Sequence, residues 1–177
     1  MQPMEKKSLH DLITEAHEVG LEGLDFLGKF GFAEIERGYN GIGPEFLPAT
    51  VREKITEHLA TFEAAAVIHD MRNDVSDGTR RGFYHANDEF WRNCVRLADH
   101  AYPWWSLRRY RARAVAKVLY RFVNAEHFGW KAWIDAHERY ISRRASGTSP
   151  HAAQRGVKPN GDIRRDESGG KPFAKAR

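Results

Sequence analysis

Cys94 is the only cysteine in the 177-residue chain, so no intrachain disulfide can form. Stability must come from a packed core, and a reducing compartment or indifference to redox is expected. Long apolar runs are also missing. No stretch approaches the roughly 20 residues that a membrane-spanning helix needs. The opening Met1-Gln2-Pro3-Met4-Glu5-Lys6-Lys7 leads into a polar helix, not an apolar leader. Any lipid contact is therefore expected to be peripheral. Period-two alternation is scarce, which argues against a sheet and predicts an all-α fold. There is no internal repeat.

Charge imbalance is absent from most of the chain. Seven of the 28 Lys/Arg and three of the 24 Asp/Glu lie from Ala145 onward, leaving 21 of each sign in residues 1–144. The net charge of +4 thus belongs to the last segment, which is rich in Gly, Ser, Pro, Arg and Lys and nearly free of large apolar residues. We read a helical domain over 1–144 and a disordered basic tail over 145–177. Such a tail can attract anionic lipid or nucleic acid, or remain a solvated terminus.

Within the first 144 residues the apolar spacing predicts several helices. Ser8 caps one over 9–19, with Leu9, Leu12, Ile13 and Ala16 on one face. A weaker one over 21–36 is interrupted by Gly28 and Gly31. A short helix from Pro48 to residue 59 follows, then a buried one over 61–73. Later helices fall at 83–100, 107–126 and 128–140, with Pro103 as a breaker.

The helix over 61–73 carries the first unusual feature. Glu63-Ala64-Ala65-Ala66-Val67-Ile68-His69-Asp70 is small or apolar nearly all round, as a central core helix should be. At about 100° per residue, His69 falls on the face of Phe62, Ala66 and Asn73, and Asp70 points about 100° away. A neutral imidazole can take a proton from water near neutrality. A carboxylate beside it can hold a hard cation that polarises the attacked oxygen. The alternative is a buried histidine satisfied by a backbone carbonyl, with Asp70 paired to an arginine.

Eighteen residues after His69, the next helix places Asn87 in the middle of an apolar arc drawn by Phe83, Tyr84, Phe90, Trp91, Cys94, Val95, Leu97 and Ala98. A buried amide needs hydrogen-bond partners, or costs roughly 1–3 kcal/mol. His69 Nδ1 on a facing helix is the expected mate, with a backbone group as the alternative. Asp88 falls at the edge of the arc. Upstream, Tyr39-Asn40-Gly41-Ile42-Gly43-Pro44 reads as a glycine-rich turn.

Turn, His-Asp helix and following helix together resemble the phospholipase A2-like superfamily, especially its disulfide-poor viral and phage members. In the capsid phospholipase domains of parvoviruses, the calcium loop looks like residues 39–44. Their Asp-Ala-Ala-Ala-x-x-His-Asp looks like residues 63–70, and their His-Ala-Asp-x-x-Phe looks like His85-Ala86-Asn87-Asp88-Glu89-Phe90. The resemblance covers residues 38–98, about a third of the chain.

It implies a calcium-dependent hydrolase of the sn-2 ester of glycerophospholipids, encoded by a phage or prophage and acting at a membrane surface. His69 would be the general base. Asp70 and the backbone carbonyls around Gly41 and Gly43 would hold Ca2+. The family's orienting aspartate falls on Asn87 in strict register, with Asp88 one residue on, and the family's tyrosine four residues after the histidine is Asn73 here. The other reading is a catalytically decayed phage structural or assembly protein on the same helical scaffold, with other phage proteins as partners.

A last feature is the basic helix. Arg109, Arg113, Lys117 and Arg121 recur every four residues, with Arg108 and Arg111 beside them and Trp104 and Trp105 just before. It reads as a lipid-facing stripe, a nucleic-acid-facing stripe, or a solvated helix face with core tryptophans.

Overall fold

The computed structural model describes residues 7–39 and 59–146. Gly41 and Gly43, most of the expected turn at 39–44, the expected helix from Pro48 and nearly all of the basic tail lie outside the described residues. Regular structure among the described residues is entirely helical: α1 (Leu9–Val19), α2 (Leu24–Leu27), α3 (Phe32–Gly38), α4 (Glu63–Asp74), α5 (Arg80–Ala101), α6 (Leu107–Val123) and α7 (Lys131–Ala145). A single 3-10 turn, Ala60–Phe62, leads into α4, and a π-helical turn, Glu126–Trp130, leads into α7.

Local chemistry sets the boundaries. Ser8 and Asp11 form a reciprocal capping box at the start of α1, and Gly20 ends it in the left-handed region at φ 67°. The helix expected over 21–36 is instead two short ones. Gly23, at φ 89°, and the extended Gly31 each restart the chain, and the Gly31 N–H donates to Glu34 Oε2 at 2.7 Å. Thr79 caps α5 by accepting from the Gly82 N–H, and Ser106 caps α6 by accepting from the Arg108 N–H.

α4 is the central element. Its residues Ala64, Ala65, Ala66, Val67, Ile68, His69 and Met71 are all buried, and α1, α2, α3, α5 and α7 all pack on it. The alanines keep neighbouring backbones close. Five residues, 75–79, turn the chain from α4 back into α5, giving a helical hairpin.

Packing then ties the other elements to this pair. Asn93 on α5 is fully buried and reads the backbone of Glu22, accepting from its N–H at 2.8 Å and donating to its carbonyl at 3.0 Å. Arg143 on α7 donates to the carbonyl and carboxylate of Asp74, at 2.9 and 2.8 Å, and so caps the C-terminal end of α4. Asp99 on α5 accepts from both Arg109 and Arg113 on α6.

The buried face of α5 is turned relative to its apolar arc. Tyr84 is largely exposed and Trp91 and Val95 are half-buried, whereas Glu89 and Asn93, on the opposite edge, are buried. Both polar residues have partners that outweigh the apolar count. Cys94 is buried in the core, and burial raises its thiol well above the usual range, so it behaves as a small hydrophobe.

Gly23 carries a specific constraint. Its φ is positive, and a Cβ there would lie 2.8 Å from both Glu89 Oε1 and Ile68 Cγ2, whereas a Cβ on Gly20 meets nothing within 4 Å. Gly20→Ala is expected to cost about 1 kcal/mol from backbone conformation alone. Gly23→Ala should cost about 2–4 kcal/mol, because steric overlap adds to the same term. Urea midpoints of the two variants check this, and equal losses would contradict it.

Candidate functional site

His69 enters the site from α4 and Asn87 from α5. His69 Nε2 lies 2.9 Å from Asn87 Oδ1, across the hairpin. The same amide donates through Nδ2 to the Val123 carbonyl at 3.3 Å and to Asn124 Oδ1 at 3.2 Å. A backbone carbonyl can only accept, so the amide is fixed with Nδ2 towards α6 and Oδ1 towards the imidazole. An acceptor facing Nε2 requires that nitrogen to carry the proton. His69 is therefore the Nε2–H tautomer, with a lone pair at Nδ1. Asn73, one turn along α4, contacts Nδ1 through Nδ2 at 3.3 Å, and Asp70 Oδ1 lies 4.0 Å from it.

The ring packs against Phe90 with centroids 4.7 Å apart. Burial lowers its pKa, with the Asn87 hydrogen bond and the Glu89 carboxylate opposing the shift. The imidazole is thus held neutral at physiological pH, the form that can accept a proton.

Asp70 lies at a second polar site. The Tyr39 phenol is raised above its usual range, first by burial and then by the carboxylates of Glu63 and Asp70. The Glu63 and Asp70 carboxylates thus both lie near enough to act on the Tyr39 phenol. Asp70 keeps about a fifth of its side chain exposed. Among the described residues, no three His, Cys, Asp or Glu side chains gather around one point. Gly41 and Gly43, the other residues expected to hold a cation with Asp70, lie outside the described residues. Carboxylate oxygens of this kind suit such an ion.

Asp88 does not reach His69. Its carboxylate accepts from the Tyr120 hydroxyl at 2.6 Å and raises that phenol's pKa. Of the two candidates on α5, Asn87 is the one that meets the imidazole. The ring nitrogen it meets is Nε2, where Nδ1 was expected, because helix spacing sets which side chains face each other but not how the ring is rotated.

The imidazole lines a cleft of about 360 Å³. Phe83, Phe122, Val123 and Phe128 supply apolar wall, and His127 and Lys131 add polar groups on the α7 side. The π-helical turn shapes this wall: a Cβ on Gly129 would overlap the Val123 carbonyl, the group that Asn87 uses.

Two supporting residues escape a reading of apolar spacing. Glu89, buried on α5, accepts from Arg72 Nε at 3.1 Å and Nη2 at 2.9 Å, and the Arg72 guanidinium lies 3.8 Å from the Phe26 ring centre. This fork-shaped pair joins Arg72, one turn after His69 on α4, to Glu89, two residues after Asn87 on α5, and so ties the two helices beside that contact. The only available signal was the acid and the arginine on adjacent helices.

No protein-family model, curated protein or solved structure matches this chain.

Two outcomes follow from this geometry. The depressed His69 pKa favours the neutral form in the folded state. Its stabilising contribution is complete above the unfolded value of about 6.5 and is lost as pH falls through the lower folded value. Denaturant midpoints taken from about pH 7.5 to about pH 5 should fall more steeply for wild type than for His69→Gln; parallel curves would contradict this. Second, Asn87→Asp sets a carboxylate oxygen against the Val123 carbonyl and should cost about 1–3 kcal/mol at neutral pH. An unchanged urea midpoint would show that the amide is not held as described.

Proposed function

We propose that this chain is a phospholipase A2-like hydrolase that cleaves glycerophospholipid esters with His69 as general base. The observation that carries the reading is the neutral, tautomer-fixed imidazole at the wall of an apolar cleft, with Nδ1 only 4.0 Å from Asp70. The phenylalanine-lined wall suits an acyl chain. The order of motifs in the sequence supports the same class.

In this mechanism water displaces the long Asn73 contact at Nδ1. His69 Nδ1 takes a proton from that water as its oxygen bonds to the ester carbonyl carbon. The imidazolium then returns the proton to the departing alcohol oxygen as the ester C–O bond breaks, which leaves a free fatty acid and a lysophospholipid. Asn87 Oδ1 holds the ring through Nε2–H in both steps. Calcium bound at Asp70 would supply a positive charge for the polarised carbonyl oxygen.

A second reading, a phage structural or assembly protein with a decayed site, is favoured by one feature. Asn87 is neutral, and an amide stabilises imidazolium less than a carboxylate does.

The test is fatty-acid release from mixed phospholipid vesicles, with calcium or with chelator. The hydrolase reading expects calcium-dependent release that His69→Gln lowers by about 10²- to 10⁴-fold while the protein stays folded. Folded wild type that releases nothing at any calcium concentration would overturn it in favour of the structural reading.

A further inference from the structure

Residues 100–125 contain six Arg/Lys and no Asp or Glu. The structure sorts these cations into two sets. Arg109 and Arg113 turn inward to Asp99, which burial alone would raise and which the two guanidiniums bring below the usual carboxylate range. Arg108, Arg111, Lys117 and Arg121 lie exposed and make no ion pair among the described residues.

At about 100° per residue, Arg111, Lys117 and Arg121 share the outward face of α6 with Leu107, Tyr110 and Val118. These three apolar or aromatic side chains are all exposed, although buried partners would stabilise them. Just before α6, Trp104 and Trp105 are 70% and 69% exposed. Beyond its other end, Phe128 is exposed and stacks on Phe122, and both line the His69 cleft. A mixed apolar and cationic band thus runs about 20 Å along the helix to the rim of the cleft.

We propose that this band seats the protein on an anionic bilayer surface. Trp104 and Trp105 enter the headgroup layer, where an apolar ring with one polar edge is most stable. Arg111, Lys117 and Arg121 meet lipid phosphates, and Leu107 and Val118 reach the acyl boundary between them. A second copy of the chain does not suit this band, since symmetric pairing would press like charges together with no acid between them. Nucleic acid suits it less well. The two indoles meet edge to face at 5.7 Å and 88° and do not form a parallel stacking platform. Solvated aliphatic side chains would gain nothing from phosphates alone.

This inference does not rest on hydrolysis, so ether-linked lipids, which have no ester to cleave, provide the probe. Full-length protein is sedimented with vesicles of ether phosphatidylcholine, with or without ether phosphatidylglycerol, at low and high salt. Partition should require the anionic lipid and fall with salt. It should drop by about tenfold or more in Arg111→Glu/Lys117→Glu/Arg121→Glu. Trp104→Ala/Trp105→Ala should weaken binding and remove the quenching of tryptophan emission by brominated acyl chains.

Circular dichroism verifies that each variant is helical. If the triple reversal unfolds, Lys117→Gln/Arg121→Gln takes its place, with a smaller loss expected. Undiminished partition in folded variants would overturn the proposal and assign lipid binding to another part of the chain. Absent partition, with salt-dependent DNA binding that the same reversal abolishes, would overturn it in favour of nucleic acid.

Discussion

One side-chain amide sets the state of the buried histidine on which the helices converge. Asn87 is gripped from one side by the Val123 backbone and Asn124, and this leaves its oxygen facing His69. The imidazole must then keep its proton on Nε2 and leave Nδ1 as acceptor. Burial keeps the ring neutral. A free histidine on a surface would exchange between tautomers and charge states; here a fixed backbone carbonyl removes that freedom.

The rest of the fold maintains that contact. α4 and α5 must hold their register for residues 69 and 87 to meet, and the Arg72–Glu89 pair ties the two helices beside that contact. α6 must present Val123 at the right height, which the Asp99 pairs with Arg109 and Arg113 and the Asp88–Tyr120 bond secure along its length. α7 closes the other side by capping α4 through Arg143 and by a bond from His137 Nδ1–H to the Ser76 carbonyl. Gly129 lets the π-helical turn pass close to Val123. The helices bury small side chains at their contacts, so their spacing tolerates little change.

The all-α fold was legible because helical periodicity is a local property. α1 runs over the same residues that its Ser8 cap and its apolar stripe mark out. The region from Leu21 was less legible, since a glycine in a helical pattern does not show whether the chain bends or continues; Gly23 and Gly31 break it into two helices. Helical spacing puts Asn87 in the buried arc of α5, but the apolar residues on their own aim that arc towards Tyr84 and Val95. Burial of Glu89 and Asn93 depends on Arg72 and on the Glu22 backbone, both on other elements. Pairings between elements leave no periodic trace in sequence. Ring orientation was hidden for a similar reason: it depends on which way the amide turns, and residue 123 decides that.

The most direct measurement of the account is the nitrogen NMR spectrum of the His69 ring at neutral pH. The geometry predicts a neutral imidazole with a protonated, hydrogen-bonded Nε2 and an unprotonated Nδ1, titrating below an ordinary histidine. An Nδ1–H tautomer, or a ring already charged at neutral pH, would contradict it.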